Sequence, residues 1–216
     1  MTPSRVIRFE RYNPLRSVID PLASHLACGR LAVVPTETQY ALTADATSAQ
    51  ATARVRAVKG RTVQQPFSVF FADFRVLASW KITCPAWAKP LADAFWPGPL
   101  TLVLPTRNPA FRRLGSPSSV GVRVSPEPIV RAMCERLARP LLATSANPSG
   151  AVLPPRAENR WLLTGAQNGD FLWLRPTRFP RRQPSTVLDC CGAKPKLIRA
   201  GAVSADAWRR VLREKR

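Results

Sequence analysis

The chain has 216 residues, and its 33 lysines and arginines against 13 acidic residues give a formal net charge of +20. A content of 45% hydrophobic and 21% charged residues excludes a disordered chain and predicts one large folded domain or at most two small ones. The charge favours RNA over a membrane surface as partner, because no basic amphipathic helix dominates and no apolar run reaches the length of a membrane span.

In chain order, segments of helical spacing alternate with short apolar runs. The patterns predict helices over 17–28, 48–58, 86–95, 127–138 and 204–213, and strands over 31–34, 67–71, 100–104, 120–124, 141–144, 171–174, 186–189 and 196–199. Ser48 and Ser204 stand where N-caps belong. This alternation predicts an α/β protein with a parallel or mixed sheet. Residues 176–184, PTRFPRRQP, are predicted to form a basic, proline-rich loop.

Several common chemistries are missing from the sequence. The single histidine, His25, lies in the apolar pattern of the first helix, where a structural role is favoured. The acids lack the spacing of a metal cage, so no metal held by protein ligands alone is expected. No phosphate-binding glycine motif occurs. An enzyme with this sequence would act by positioning and electrostatics while its substrate supplies the nucleophile, as nucleotidyl transfer allows.

The cysteines and the N-terminal segment predict a cytoplasmic protein. The five cysteines are odd in number and form no C-x-x-C pair, so reduced thiols are expected. The N-terminal segment carries Glu10 and lacks the apolar core of a signal peptide.

Polar residues cluster at the ends of predicted strands, where α/β sheets collect ligands. They occur in PTETQY at 35–40, in TSANPSG at 144–150, and in STVLD and LIRAG near the C-terminus. Lys59 and Arg61 precede an apolar strand, as cations at the mouth of a cavity would. Arg123 lies inside a strand, and a buried arginine needs an anionic partner, either an acid of the protein or a ligand carboxylate.

The ordered motifs VVPTETQYAL, KGR, FWPGPLTLVLP, GVRV, ATSANPSG, STVLD and LIRAGA resemble the YrdC family, the threonylcarbamoyl-AMP synthases. The resemblance is strongest over 31–202. It implies that residues 1–216 form a single YrdC-like domain, an open twisted mixed sheet with helices around a basic cavity. We expect 203–216 to form a basic C-terminal helix and tail, and we expect no extra C-terminal domain. The family joins L-threonine, bicarbonate and ATP into threonylcarbamoyl-AMP and pyrophosphate, and other proteins transfer the threonylcarbamoyl group to tRNA.

The resemblance also implies residue roles. Lys59 and Arg61 would be catalytic and hold the triphosphate and the forming carbamate. The ATP site would comprise Lys59, Arg61, Gln65, Ser119, Ser145, Asn147, Leu153 and Arg199. The threonine site would comprise Thr38, Arg123, Ala143 and Ser185, with Arg123 gripping the threonine carboxylate by two prongs. Mg²⁺ would arrive with ATP, held mainly by phosphate oxygens and water.

Three positions depart from the family pattern. Ala41 stands where glycine is common, Phe70 where some members have histidine, and Ser125 where proline is usual. The alternative is therefore an RNA-binding paralogue that acts in tRNA or ribosome maturation with little synthase activity. The charge fits it equally well, whereas an arginine inside a strand favours the enzyme. The candidate contacts for tRNA or double-stranded RNA are Arg181, Arg182, Arg209, Arg210 and Arg213.

Overall fold

The structure is a computed structural model that describes residues 5–9, 16–62, 65–147, 171–176 and 183–214. The strands in these ranges are β1 (Arg5–Phe9), β2 (Leu31–Val34), β3 (Ala41–Asp45), β4 (Ser68–Phe71), β5 (Leu100–Pro105), β6 (Ser119–Val124), β7 (Leu141–Ser145), β8 (Phe171–Pro176), β9 (Thr186–Asp189) and β10 (Lys196–Arg199). The α-helices in the same ranges are α1 (Arg16–Ala27), α2 (Ala49–Lys59), α3 (Lys89–Phe95), α4 (Pro128–Leu137) and α5 (Ala205–Glu214). Short 3₁₀ helices lie at Phe74–Val76, Ala86–Ala88 and Pro109–Leu114.

The strands form one mixed sheet in the order β1-β8-β2-β3-β7-β4-β6-β5-β9-β10. The pairs β1–β8, β8–β2, β4–β6 and β5–β9 are parallel, and the other pairs are antiparallel. In consequence, the carboxyl ends of β2, β5, β7 and β9 meet the amino ends of β4 and β6 at one edge. The prediction of an α/β fold with a mixed sheet is confirmed.

Helix α2 shows how local sequence sets the position of a candidate residue. The Ser48 side chain accepts a hydrogen bond from the Ala51 N–H at 3.1 Å, which begins the helix as expected for an N-cap. The helix ends at Gly60, whose φ of 58° lies in the left-handed region that glycine adopts without strain. Lys59 is therefore the last helical residue, and Arg61 begins the loop to β4.

The sheet has a different layer on each face. On one face, alternate strand residues such as Leu102, Val122 and Leu188 form a core together with side chains of α2, α3 and α5. On the other face, α1 and α4 pack together over part of the sheet, mainly through leucine, valine and isoleucine side chains. Within the described ranges, these two helices leave the part formed by β6, β5 and β9 uncovered, whereas β4 packs against α4. That uncovered region is where the site lies.

Most predicted elements are present within about two residues, but two strands were missed. β3 is buried along its whole length, yet its sequence ALTAD has neither an apolar run nor an alternating pattern. β1, RVIRF, carries two arginines in five residues and pairs with β8. Strand formation in both segments depends on pairing with distant strands, which is invisible in a local pattern.

The histidine, the cysteines and the length of the helices can also be compared with the sequence predictions. His25 is hydrogen-bonded through Nε2 to the Leu31 carbonyl oxygen at 2.8 Å, which confirms a structural role. The cysteines are free thiols, as expected. In the described ranges, no helix is both long enough and apolar enough to span a membrane.

Candidate active site

A cavity of about 490 Å³ lies on the uncovered region of the sheet. Its floor consists of alternate strand residues, namely Ser68, Phe70, Thr101, Val103, Ser119, Gly121, Arg123, Ala143, Ser145, Val187 and Asp189. Their strand neighbours face the core on the other side. A Cβ atom at Gly121, which is part of the floor, would stand only 2.8 Å from Ser68 Oγ, so a larger residue there would displace the Ser68 hydroxyl group.

Three arginines give the cavity its positive charge. Arg61, Arg123 and Arg199 line it, and Asp189 is the one carboxylate among the described lining residues. Burial and the nearby Arg123 and Arg61 lower the pKa of Arg199. Burial, with a smaller effect of Arg56, lowers the pKa of Arg61. Guanidinium groups that raise the cost of one another's charge are stabilised by an anionic ligand. The expected basic cavity is confirmed.

Arg61 is positioned by a clamp on its loop. Arg56, on α2, donates to the carbonyl oxygens of Thr62 at 2.5 Å, Gln65 at 3.3 Å and Arg113 at 2.9 Å. The guanidinium carbons of Arg56 and Arg61 stand 4.7 Å and 5.3 Å from the centre of the Phe67 ring. The loop is thus tied to its neighbours, and Arg61 faces the cavity.

Lys59 lies deeper than a residue at the cavity mouth. Its side chain is 3% exposed, and it is not among the lining residues. Its ammonium group donates to the carbonyl oxygens of Ser145, at 2.8 Å, and of Asn147, and lies 3.2 Å from Asn147 Oδ1. Burial, reinforced by Arg61, lowers the pKa of Lys59 from 10.5 to about 8. Lys59 therefore places a partly destabilised positive charge directly behind the turn that follows β7.

The turn after β7 brings two further candidates together. Ser145 Oγ donates to Asn147 Oδ1 at 2.5 Å, and the Asn147 N–H donates to the Ser145 carbonyl oxygen at 2.9 Å. Ser145 lines the cavity, whereas Asn147 lies behind it with Lys59.

Arg123 has a protein carboxylate as partner. Its Nη2 donates to Glu37 Oε1 at 2.6 Å and to Thr38 Oγ1 at 2.8 Å, and its Nε donates to the Gly98 carbonyl oxygen at 3.3 Å. The guanidinium carbon lies 5.5 Å from the centre of the Phe70 ring. Nη1 donates to no residue in the described ranges. Both hydrogens of Nη2 are engaged. If Arg123 is to bind a ligand carboxylate through two nitrogens, its hydrogen bond to Glu37 or to Thr38 must therefore break.

A second polar group lies at the start of β9. Ser185 Oγ is 2.9 Å from Thr101 Oγ1, and Arg199 donates to the Ser185 carbonyl oxygen through Nε and Nη2 and to Ser185 Oγ through Nη2. Gly201 permits this approach, because a Cβ atom there would overlap the Pro184 carbonyl oxygen. Ser119 lines the same cavity and lies 2.7 Å from Ser116, oxygen to oxygen.

The remaining candidate residues do not all lie at the cavity. Ala143 lines the cavity, whereas Gln65 is exposed and does not. Leu153, Arg181 and Arg182 lie outside the described residues. Arg209, Arg210 and Arg213 are exposed on α5, which packs with α3 on the face opposite the cavity.

Ala41 occupies a position where glycine is common in the family, but its backbone is not in the left-handed region that would strain an alanine. It is buried within β3 and pairs with Ser145, and its φ is not positive. The substitution of alanine for glycine is therefore accommodated by ordinary extended backbone.

Sequence reasoning missed several contributors to the cavity. Thr36, Ser68, Thr101, Ser116 and Asp189 line it, and Glu37 supports Arg123 from behind. Glu37 could have been found, because a buried strand arginine demands an acid and PTETQY contains one. The small hydroxyl residues carry no such signal. No cluster of acidic, histidine or cysteine residues in the described part of the chain is suited to hold a metal ion.

Comparison with known proteins identifies the class of protein. The Sua5/YciO/YrdC family model, described as "Telomere recombination", matches residues 24–201. The chain is 33% identical over 174 residues to the threonylcarbamoyl-AMP synthase of Bacillus subtilis, covering 80% of this chain and 50% of that protein. It is 39% identical over 129 residues to that of Halorhodospira halophila, covering 59% of this chain and 67% of that protein.

A solved structure agrees with these relatives. The crystal structure of Pyrococcus abyssi Sua5 complexed with L-threonine matches with a TM-score of 0.83 and 30% identity, covering 95% of this chain and 60% of that one. The chain belongs to the Sua5/YciO/YrdC family. It spans about half of the length of the Bacillus subtilis relative.

Proposed function

We propose that the protein is an L-threonylcarbamoyladenylate synthase, a nucleotidyltransferase that joins L-threonine, bicarbonate and ATP. The observation that carries this proposal is that one cavity is lined by two groups of residues. Arg123 and Thr38 form one group, and Arg61, Arg199 and Ser145 form the other. A carboxylate site and a phosphate site are thereby held together. The volume of about 490 Å³ falls in the range of roughly 300–1,000 Å³ that is typical of ligand pockets.

The amino acid would bind at the Arg123 end. Its carboxylate would accept hydrogen bonds from Nη1 of Arg123, which donates to none of the described residues. Thr38 and Ser185 would bind the amine and the hydroxyl group, and the wall formed by Phe70 and Ala143 would contact the methyl group. The named activity of the relatives and the threonine complex of Pyrococcus abyssi Sua5 support this assignment.

ATP would bind in the same cavity beside the amino acid, with Mg²⁺ carried on its phosphates. Arg61 and Arg199 would contact phosphate oxygens, and Ser119 and Ser145 would contribute hydroxyl groups. Lys59 would act from behind Ser145, both by its charge and by holding the turn that ends at Asn147. Gln65, being exposed, would contribute through its loop and not as a cavity wall.

The chemistry requires no nucleophile from the protein. Bicarbonate dissociates into carbon dioxide and hydroxide, and the amine of threonine attacks the carbon dioxide to form a carbamate. The proton that the amine releases combines with the hydroxide to give water. A carbamate oxygen then attacks the α-phosphorus of ATP, the bond to the β-phosphate oxygen breaks, and pyrophosphate leaves. Arg61 and Lys59 would stabilise the negative charge that develops on the leaving phosphates.

Product analysis tests the proposal directly. Purified protein incubated with MgATP, L-threonine and bicarbonate should release pyrophosphate and form an adduct with the mass of threonylcarbamoyl-AMP. Omission of either threonine or bicarbonate should abolish both signals. Pyrophosphate release without the adduct, or release that is independent of threonine, would contradict the proposal.

The product would be used by proteins that transfer threonylcarbamoyl groups to tRNA, in the cytoplasm. We also propose direct contact with tRNA or double-stranded RNA, which is supported by the net charge of +20 and by Arg209, Arg210 and Arg213 on one exposed helix. Because α5 lies opposite the cavity, RNA bound there would leave the entrance for ATP open.

A further inference from the structure

Ser125 follows β6 directly and lies behind Arg123, outside the cavity lining. Its side chain is 0% exposed, and its Oγ donates to Glu37 Oε2 at 2.6 Å. The same Oγ accepts a hydrogen bond from the Glu127 N–H at 3.2 Å. An ionised carboxylate only accepts hydrogen bonds and an N–H only donates, so the two partners fix the orientation of the hydroxyl hydrogen.

Glu37 connects Ser125 to the cavity. Its Oε2 is held by Ser125 and its Oε1 by Nη2 of Arg123, so both carboxylate oxygens have a partner. Glu37 is buried, and rotation of its carboxylate would leave a buried oxygen without a hydrogen bond. The carboxylate is therefore fixed from both sides.

The guanidinium group of Arg123 is fixed in turn. Glu37 and Thr38 take the two hydrogens of Nη2, and the Gly98 carbonyl oxygen takes that of Nε. Arg123 lines the cavity, and Nη1 is its one nitrogen that donates to no residue in the described ranges. A preorganised donor binds an anion more tightly than a mobile one, because no ordering is needed on binding.

We propose that Ser125 is a positioning residue for amino-acid binding, acting through Glu37 to orient Arg123 so that Nη1 receives the substrate carboxylate. This role rests on the proposed function, since it assumes that Arg123 binds the amino acid. It extends that function because Ser125 does not line the cavity and does not touch the ligand. Ser125 sets affinity for the amino acid alone and not for the nucleotide.

The test is calorimetric binding of L-threonine and of ATP to the parent protein and to Ser125→Ala. The matched control is Thr186→Val, which removes another buried hydroxyl group, one that donates to the Val203 carbonyl oxygen at 2.7 Å and faces the core on the opposite side of the sheet. Both variants should melt at lower temperature. Only Ser125→Ala should weaken threonine binding, by about tenfold, the usual effect of one hydrogen bond to a charged group. Affinity for ATP should stay within about twofold of the parent.

A double-mutant cycle examines the route through Glu37. In the Glu37→Gln background, Ser125→Ala should weaken threonine binding by less than about twofold, because the carboxylate it orients is gone. Additive losses in the cycle, equal losses for threonine and ATP, or a similar loss in Thr186→Val would overturn the positioning role. If the parent binds threonine and Ser125→Ala binds it equally well, the positioning role alone fails. A parent that binds no threonine would overturn the proposed function and the positioning role together.

Discussion

The buried ammonium group of Lys59 predicts that ATP affinity depends on pH. Burial and Arg61 lower its pKa to about 8, so the free protein should lose this charge as the pH rises through that value. The protonated fraction is about 0.76 at pH 7.5 and about 0.09 at pH 9 for such a group. If the cation is needed for tight ATP binding, the affinity should fall about eightfold between these pH values. A neutral amine keeps two N–H groups, so the turn at Ser145 should persist.

The measurement is equilibrium binding of a nonhydrolysable ATP analogue, with no threonine present. Above pH 7.5 the terminal phosphate is ionised, since phosphate groups of this kind have a pKa of about 6. Binding of the anion should raise the pKa of Lys59, so the bound state should titrate at higher pH than the free protein. Lys59→Met is the control, because it keeps the length of the side chain without its charge and should bind weakly at every pH. A parent affinity that stays constant from pH 7.5 to 9, or a parallel fall in Lys59→Met, would refute this reasoning.

Three other predictions concern the remaining cations. Arg61→Ala should weaken ATP binding and lower the rate of pyrophosphate release by about a hundredfold; a rate within a few-fold of the parent would contradict its assignment. Arg123→Lys should weaken threonine binding more than ATP binding in calorimetry, because an ammonium group cannot reproduce the contacts of the planar guanidinium; a parallel fall of both would indicate a purely structural pair with Glu37. The triple variant Arg209→Glu, Arg210→Glu and Arg213→Glu should bind tRNA more weakly than the parent, and a salt titration should show a flatter dependence of its affinity on salt. Binding by the parent that is indifferent to salt would exclude the proposed surface.

The sequence predicted elements best where the local pattern and the tertiary structure agree. α2 and β6 were both predicted closely, since a capped helix and a continuous valine-rich strand carry their own signals. β3 was missed because its threonine and alanine residues are buried by pairing with β2, which precedes it, and with β7, which is distant along the chain.

In the site, too, some features could be predicted from local sequence and others depend on tertiary packing. Arg123 was identified because charge inside an apolar strand demands a partner, but the partner could have been either a protein acid or a ligand. The structure shows Glu37 in that place, and Arg123 still lines the cavity. Lys59 was expected at the cavity mouth and instead lies behind Ser145, because the last turn of α2 directs it toward the end of β7. Such directions depend on how the helix packs and not on the sequence motif.

The alternating floor of the cavity has a consequence for how such a protein can change its substrate. In β6, Ser119, Gly121 and Arg123 face the ligand space, while the intervening valines belong to the core. Substitutions at the first set act mainly on recognition, whereas substitutions of the valines act on the packing that keeps the sheet together. An insertion or deletion of one residue in the strand exchanges the two sets and brings arginine into the core. Variation in specificity should therefore accumulate by point substitution at every second position, and length changes should be confined to the loops.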